Sequence, residues 1–235
     1  MNNELINNNR VYLMGTISTE AKFSHEIYGE GFYDMSLCVT RLSEQCDEIP
    51  ITVSERIIQS QNLCVGSRIA LIGQFRSYNK LVEGKSKLML TVFVREIIEP
   101  RYDLNSNIIE LVGFICKEPI YRTTPFKREI CDLLLAVNRA YNKSDYLPCI
   151  AWGRNARFVN EIGVGQKIYI TGRIQSRQYQ KRLDEDSSET RVAYEVSIGK
   201  VSLDDKIERV LLTTAEQGIL TSYDLNPSTN NFATN

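Results

Sequence analysis

Leu135-Ala136-Val137-Asn138-Arg139 stands 98 positions after Leu37-Cys38-Val39-Thr40-Arg41, and the two stretches share one pattern. The same offset carries Gly15 onto Gly113, Phe23 onto Tyr121, Pro50 onto Pro148 and Arg56 onto Arg154. One residue is then gained. At the new offset of 99, Gly66 falls on Gly165, Gly73 on Gly172 and Ser77 on Ser176. A register held this long, with one small insertion, indicates two copies of one domain. The period is too long for a solenoid unit and suits a small domain.

The copies occupy 9–98 and 106–203, followed by a tail over 204–235. Between them runs Glu99-Pro100-Arg101-Tyr102-Asp103-Leu104-Asn105, in which Pro100 ends the last strand of the first copy. In the second copy, segments rich in Ile, Val, Leu, Tyr and Thr predict strands over 108–122, 128–141, 145–153, 166–181 and 190–203. Between the third and fourth, Phe158 and Ile162 lie four apart and Gly163 follows as a helix stop, so a short helix is expected there. The first copy gives the same order, with strands near 10–18, 21–41, 48–55, 67–79 and 87–98 and a helix near 55–62. The expected class is all-β with a minor helix. Five strands with a helix between strands three and four is the layout of the OB-fold, a small Greek-key barrel, here twice in tandem.

Bulk composition is that of a folded globular chain: 43% apolar and 24% charged residues, with a net charge of −1. No apolar run approaches a membrane span, and Met1-Asn2-Asn3-Glu4 has no basic start leading into an apolar stretch, so a cytoplasmic protein is expected. The charge is uneven. Residues 9–98 carry 10 Lys+Arg against 10 Asp+Glu, whereas 106–203 carry 15 against 11. The six cysteines show no CxxC and no Cys/His cluster. Cys38, Cys131 and Cys149 fall inside apolar strand patterns and are expected as reduced core residues, with no metal site.

Side chains alternate faces along a strand. In the fourth strand of the second copy, Ile168, Ile170, Gly172, Ile174 and Ser176 suit a barrel interior. Lys167, Tyr169, Thr171, Arg173, Gln175, Arg177 and Tyr179 take the outer face, which Lys181 extends. In the third strand Leu147, Cys149 and Ala151 take one face, and Tyr146 and Trp152 the other, beside Arg154. Exposed rings interleaved with cations suit a single-stranded nucleic acid, because bases stack on rings while Arg and Lys follow the phosphates. The same pattern also fits an ordinary half-exposed sheet face.

Gly172-Arg173-Ile174-Gln175-Ser176-Arg177-Gln178-Tyr179 resembles the strand-four signature of bacterial single-stranded DNA-binding proteins. Leu135 to Tyr141 resembles that family's strand-two exit, and Tyr146 to Arg154 its third strand. The resemblance covers the whole second copy and implies stacking aromatics at Tyr141, Tyr146, Trp152 and Tyr179, with matching basic positions at Arg154 and Arg177. Arg139 lies at the strand-two exit. Arg173 stands where the family usually has Gln, so it rests on strand parity. In the first copy the four stacking positions hold Ser43, Glu48, Ser54 and Lys80. Arg41, Arg56, Arg68, Arg76 and Tyr78 remain as weaker candidates. The expectation is that this copy serves assembly more than binding; the competing reading is a relocated patch around Tyr78, Arg76 and Phe75. The resemblance also implies a homodimer that supplies four OB-folds.

The tail departs from the family's acidic tip. A short helix is expected near 204–212, then a polar, uncharged end over 226–235 that does not match the acidic tip; replication and repair proteins stay open as partners, without that route of recruitment. Asp184-Glu185-Asp186 reads as a solvated hairpin tip. His25 is the only histidine, and no phosphate loop, nucleophile elbow or clustered carboxylates appear, so no enzyme and no cofactor are expected. The function implied is non-specific single-stranded DNA binding in replication, recombination or repair. Its rivals are an OB-fold scaffold of a replication or primosome assembly and an RNA-binding accessory protein.

Overall fold

Alternating apolar residues become antiparallel strands in both copies, six per copy rather than five. The computed structural model describes residues 8–203 apart from 42, 83, 103–104, 141 and 183–187. The first copy comprises β1 (Asn9–Ile17), β2 (Lys22–Ile27), β3 (Glu30–Thr40), β4 (Cys46–Ser54), α1 (Glu55–Gln61), β5 (Arg68–Val82) and β6 (Lys85–Ile98). The second comprises β7 (Asn107–Ile115), β8 (Ile120–Thr123), β9 (Glu129–Asn138), β10 (Ser144–Trp152), α2 (Arg154–Asn160), β11 (Lys167–Arg182) and β12 (Ser188–Ser202).

The extra strands have local causes. The stretch 21–41 folds back at Tyr28 and Gly29, both at positive φ, as a tight hairpin turn needs. The stretch 108–122 breaks around Pro119, which has no N–H to give a ladder. In the second helix Ala156 and Val159 are the buried residues. Ile162 is buried beyond the helix end and Phe158 faces solvent, so the expected Phe158/Ile162 pair is not its core stripe.

Each copy closes on itself. β1 pairs with β5 and with the end of β3, β3 with β4, β5 with β6, and β4 runs parallel to β6 at Ile51↔Val92. The second copy repeats this, with its parallel contact at Cys149↔Val196. These are two OB-folds. The interior of the first holds Val11, Leu37, Ile51 and Phe75, and that of the second holds Ile109, Leu135, Cys149 and Ile174, all buried. Burying one such aliphatic or aromatic side chain contributes about 1.5–3 kcal/mol. The long hairpins β5–β6 and β11–β12 both slip register at a glycine, Gly73 or Gly172. A Cβ at Gly73 would lie 2.6 Å from the Phe93 carbonyl oxygen, and one at Gly172 would collide with that of Ser197.

The barrels join edge to edge through β1 and β7, antiparallel, with Val11↔Ile109 at the centre and Asn9↔Leu111 and Leu13↔Asn107 on either side. Val11 and Ile109 are themselves related by the repeat offset, so a local two-fold axis passes between them. All twelve strands form one continuous sheet.

Cys131 and Cys149 are buried thiols, whereas Cys38 is disulfide-bonded to Cys46. This corrects the expectation of a reduced core residue at position 38. Leu37 and Val39 take the core parity of β3, which turns Cys38 outward toward Cys46 on the neighbouring strand, 5.6 Å away between Cα atoms. No helix among the described residues is long and apolar enough to cross a membrane.

Candidate nucleic-acid interface

Strand β10 sorts its side chains as the sequence pattern requires. Leu147, Cys149 and Ala151 are buried, while Tyr146 and Trp152 are 48% and 38% exposed on the opposite face, with half-buried Pro148 between them. On β11, Ile168, Ile170 and Ile174 are buried and Tyr179 is 39% exposed. Tyr179 shares a cleft of about 570 Å³ with Pro148, Tyr194 and Arg191 of the second barrel and with Tyr78 and Lys87 of the first. Thus the end of β11 approaches the outer face of β10, and the first barrel forms the opposite wall. Tyr194 escaped sequence reasoning because it shares parity with the core residues Val196 and Ile198. It is half-buried and packs against the core at its margin, where burial, with Glu48 nearby, pushes its phenol up from its ordinary range.

The cations divide among different environments. The Arg177 guanidinium lies over the Tyr179 ring at 6.0 Å and its Nε is 3.7 Å from the Glu195 carboxylate. Lys167 lies over Tyr169 at 5.4 Å. Arg154 is exposed at the start of α2. Gln175, expected on the open outer face, is buried, because its amide donates to the nearly buried Glu195 at 2.8 Å. Arg173 is exposed but lines a separate cleft with Arg41, Met14 and Asn105. Lys181 lies in β11, its side chain outside the described set, and Tyr141 and the tail are also outside the described residues.

Three arginines singled out from the sequence meet carboxylates where the barrels touch. Asp145, fully buried, accepts from the Ser77 amide at 2.6 Å, from Arg139 at 2.6 Å and from Arg76 at 3.3 Å, and Arg139 also donates to the Ser77 carbonyl at 2.8 Å. Across the two-fold, Asp47 accepts from Arg41 at 2.5 and 2.6 Å and from the Ser176 amide and hydroxyl at 2.7 and 2.9 Å. Each Asp therefore ties its own barrel to the partner's long hairpin. Burial pushes Asp47 up, but the hydrogen bonds from Arg41 and Ser176 outweigh it and hold the carboxyl below its ordinary value. Burial pulls Arg76 down. No pattern in the chain signals this lock, since a charged residue in a strand reads as solvated.

In the first barrel Phe75 is a fully buried core residue, which removes it from any surface patch. Tyr78 is 40% exposed, and Arg56 is exposed 3.8 Å from Glu30. Glu48, exposed, accepts a short hydrogen bond from Ser18 at 2.5 Å. Cys38, Cys46 and Glu48 are grouped closely, but both sulfurs are consumed in the disulfide and offer no thiolate to a metal.

Residues 106–203 match the model of the single-strand binding protein family. The chain is 35% identical over 83 residues to single-stranded DNA-binding protein 1 of Staphylococcus aureus (strain COL), covering 32% of this chain and 50% of the relative. To single-stranded DNA-binding protein A of Bacillus subtilis (strain 168) it is 32% identical over 83 residues, 32% of this chain and 48% of the relative. The chain thus spans about half the length of these relatives. The crystal structure of the wild-type single-stranded DNA binding protein from Thermus aquaticus superposes with a TM-score of 0.62 at 21% identity, over 86% of this chain and 95% of that one. At that identity the likeness speaks for the fold, and it extends over both barrels.

Proposed function

We propose that the chain, whose residues 106–203 match the model of the single-strand binding protein family, binds single-stranded DNA without sequence preference. The observation that carries this reading is the set of half-exposed rings, Tyr146, Trp152 and Tyr179, on the outer side of the second barrel. Each ring offers a face to a base and contributes about 1–3 kcal/mol by stacking, which is indifferent to base identity. Arg154 and Arg177, with Arg173, Tyr141 and Lys181 as further candidates, supply contacts along the strand. Each phosphate neutralised steepens the salt dependence by about 0.7 in the log–log slope. No bond is made or broken; the protein covers strands exposed during replication, recombination or repair in the bacterial cytoplasm. Arg139 contributes by shaping the barrel junction through Asp145. Two chains would associate to present four barrels, and the test is a solution mass twice that of the 26.9 kDa chain.

The binding test is a titration of intrinsic fluorescence with poly(dT) at low and at raised salt, with poly(rU) as comparison. Trp152 is the only tryptophan, so quenching reports on the proposed surface. Saturable quenching that weakens with salt and is lost in the Trp152→Ala/Tyr179→Ala double variant, read by tyrosine emission and by anisotropy of a labelled oligomer, supports the reading. No response to poly(dT) at low salt refutes it, and tighter binding of poly(rU) reassigns the ligand to RNA.

A further inference from the structure

One covalent link ties the base of the loop between β3 and β4. Cys38 and Cys46 are joined there, and the other four cysteines are free thiols. Both linked residues lie on the outer face, because core parity on β3 belongs to Leu37 and Val39. In the strand register Cys38 stands opposite Glu48 and Cys46 opposite Thr40, so the link runs diagonally across the pair. Cys46 is exposed and Cys38 half-buried, which leaves the Cys46 sulfur open to a thiol arriving from solvent.

The link brackets one half of the barrel junction. Arg41 sits between the two cysteines, and Asp47 comes directly after the second. Within the loop the Arg41 amide donates to the Gln45 carbonyl at 2.7 Å, and the Glu44 amide donates to the Arg41 carbonyl at 3.0 Å. From this loop the Arg41 guanidinium reaches Asp47 and also donates to the Ser176 carbonyl on the other barrel at 3.1 Å. Asp47 in turn accepts from the Ser176 amide and hydroxyl. The grip on β11 therefore issues from a loop that one bond closes at its base.

The second barrel supplies an internal comparison. Its β9–β10 loop repeats the backbone, with the Arg139 amide donating to the Lys143 carbonyl at 2.7 Å, and its Arg139 and Asp145 hold Ser77 of the first barrel. At the positions of Cys38 and Cys46 it has Ala136 and Ser144. Ser144 donates to the Asn138 side chain at 3.2 Å, a contact that opens and reforms without chemistry. Two like loops grip two like hairpins, and only one of them is covalently closed.

We propose that the Cys38–Cys46 bond is a thiol–disulfide exchange site for small thiols and dithiols, and that its state sets how firmly the first barrel grips β11. This goes beyond DNA binding and does not depend on it. A first thiolate attacks the Cys46 sulfur, forms a mixed disulfide there and expels Cys38 as a thiolate, which takes up a proton. A second thiolate attacks the small thiol's sulfur in that mixed disulfide and releases Cys46, which is protonated in turn. The protein disulfide gains two electrons and two protons, and the two small thiols leave as their own disulfide. In the reducing interior of a cell an exposed disulfide is transient for this reason, and a small disulfide reverses the sequence under oxidation. The cross-link removes entropy from the opened loop, so the closed form keeps Arg41 and Asp47 in place and the reduced form opens more often.

The test uses the full chain held in dithiothreitol or in oxidised glutathione. Alkylation with peptide mass spectrometry reads the cysteines, and hydrogen exchange reads the amides. Cys38 and Cys46 should be alkylated only in the reduced sample, and reduced chain returned to oxidised glutathione should regain the linked pair of peptides. The Ser176 amide, donor to Asp47, should exchange about tenfold faster in the reduced chain. The Ser77 amide, donor to Asp145, should keep its rate. Cys38→Ala/Cys46→Ser, which copies the residues of the second barrel, should show the fast Ser176 rate in both media. Equal Ser176 exchange in the two media overturns the proposal, as does an acceleration that Ser77 shares. Alkylation of both cysteines in oxidised glutathione also overturns it, since the bond then does not form. If the double variant still responds to dithiothreitol, another thiol carries the effect and the proposal falls.

Discussion

Removing the Asp145 carboxylate should loosen the joint between the barrels by an amount that can be worked from its surroundings. Asp145 is fully buried, while the guanidinium side chains of Arg76 and Arg139 are 18% and 29% exposed. In Asp145→Ala the two like charges lose their shared partner and the Ser77 amide, on the other barrel, loses its acceptor. Breaking a buried ion pair from one side costs about 3–5 kcal/mol. Because both guanidinium groups retain some contact with water, the lower figure of about 3 kcal/mol applies. With a urea slope of about 3 kcal/mol/M, the upper end for small domains, the midpoint should fall by about 1 M. Asp145→Asn keeps an acceptor for Ser77 without the charge and should fall between. A shift below about 0.3 M for Asp145→Ala at unchanged slope would refute the view that this carboxylate holds the junction.

Further outcomes follow from other sites. Trp152→Ala should weaken binding of short oligothymidylates by about 1–3 kcal/mol, measured by anisotropy; an unchanged dissociation constant would remove that ring from the binding surface. Asp47, held low by Arg41 and Ser176 against the effect of burial, gives its stabilisation fully above the unfolded carboxyl value of about 4 and loses it as pH falls through the lower folded value. Asp47→Asn should therefore cost stability at pH ~7 and progressively less below about pH 4; a cost independent of pH in urea melts would contradict this. Gly172→Ala, which drives a methyl into the Ser197 carbonyl, should lower stability by about 1–3 kcal/mol in thermal unfolding. Burial pushes the Cys131 thiol up to about 11 and raises that of Cys149 further, whereas Cys64 is exposed. Iodoacetamide at neutral pH should label Cys64 in the folded chain and reach the other two only in denaturant, with mass spectrometry of the peptides as the check.

The repeat, the strand parity and the position of the helix were legible because each has a period in the chain. Val11 and Ile109, or Phe75 and Ile174, occupy equivalent core places since the same barrel must be filled twice. What was not legible depended on contacts between distant segments. Arg41, Arg76 and Arg139 read as solvent-facing cations, and only the approach of each long hairpin to the opposite barrel gives them Asp47 and Asp145 as partners. Gln175 likewise keeps outward parity, and its burial under Glu195 comes from the partner strand of the hairpin. Phe75 belongs to the core parity of β5, as its counterpart Ile174 indicates, and so lies on the opposite face from Arg76 and Tyr78, its neighbours in sequence only.

The pairing of β1 with β7 about Val11 and Ile109 makes the chain a symmetric dimer written as one polypeptide. In an assembly of identical subunits, every substitution appears on both sides of the axis at once, so neither side can change alone. Here each half mutates independently while Asn9 and Asn107, or Asp47 and Asp145, still preserve the shared frame. Such a chain can specialise its two faces separately. Its halves are also synthesised in equal amount, already tethered, so the junction forms without dependence on protein concentration.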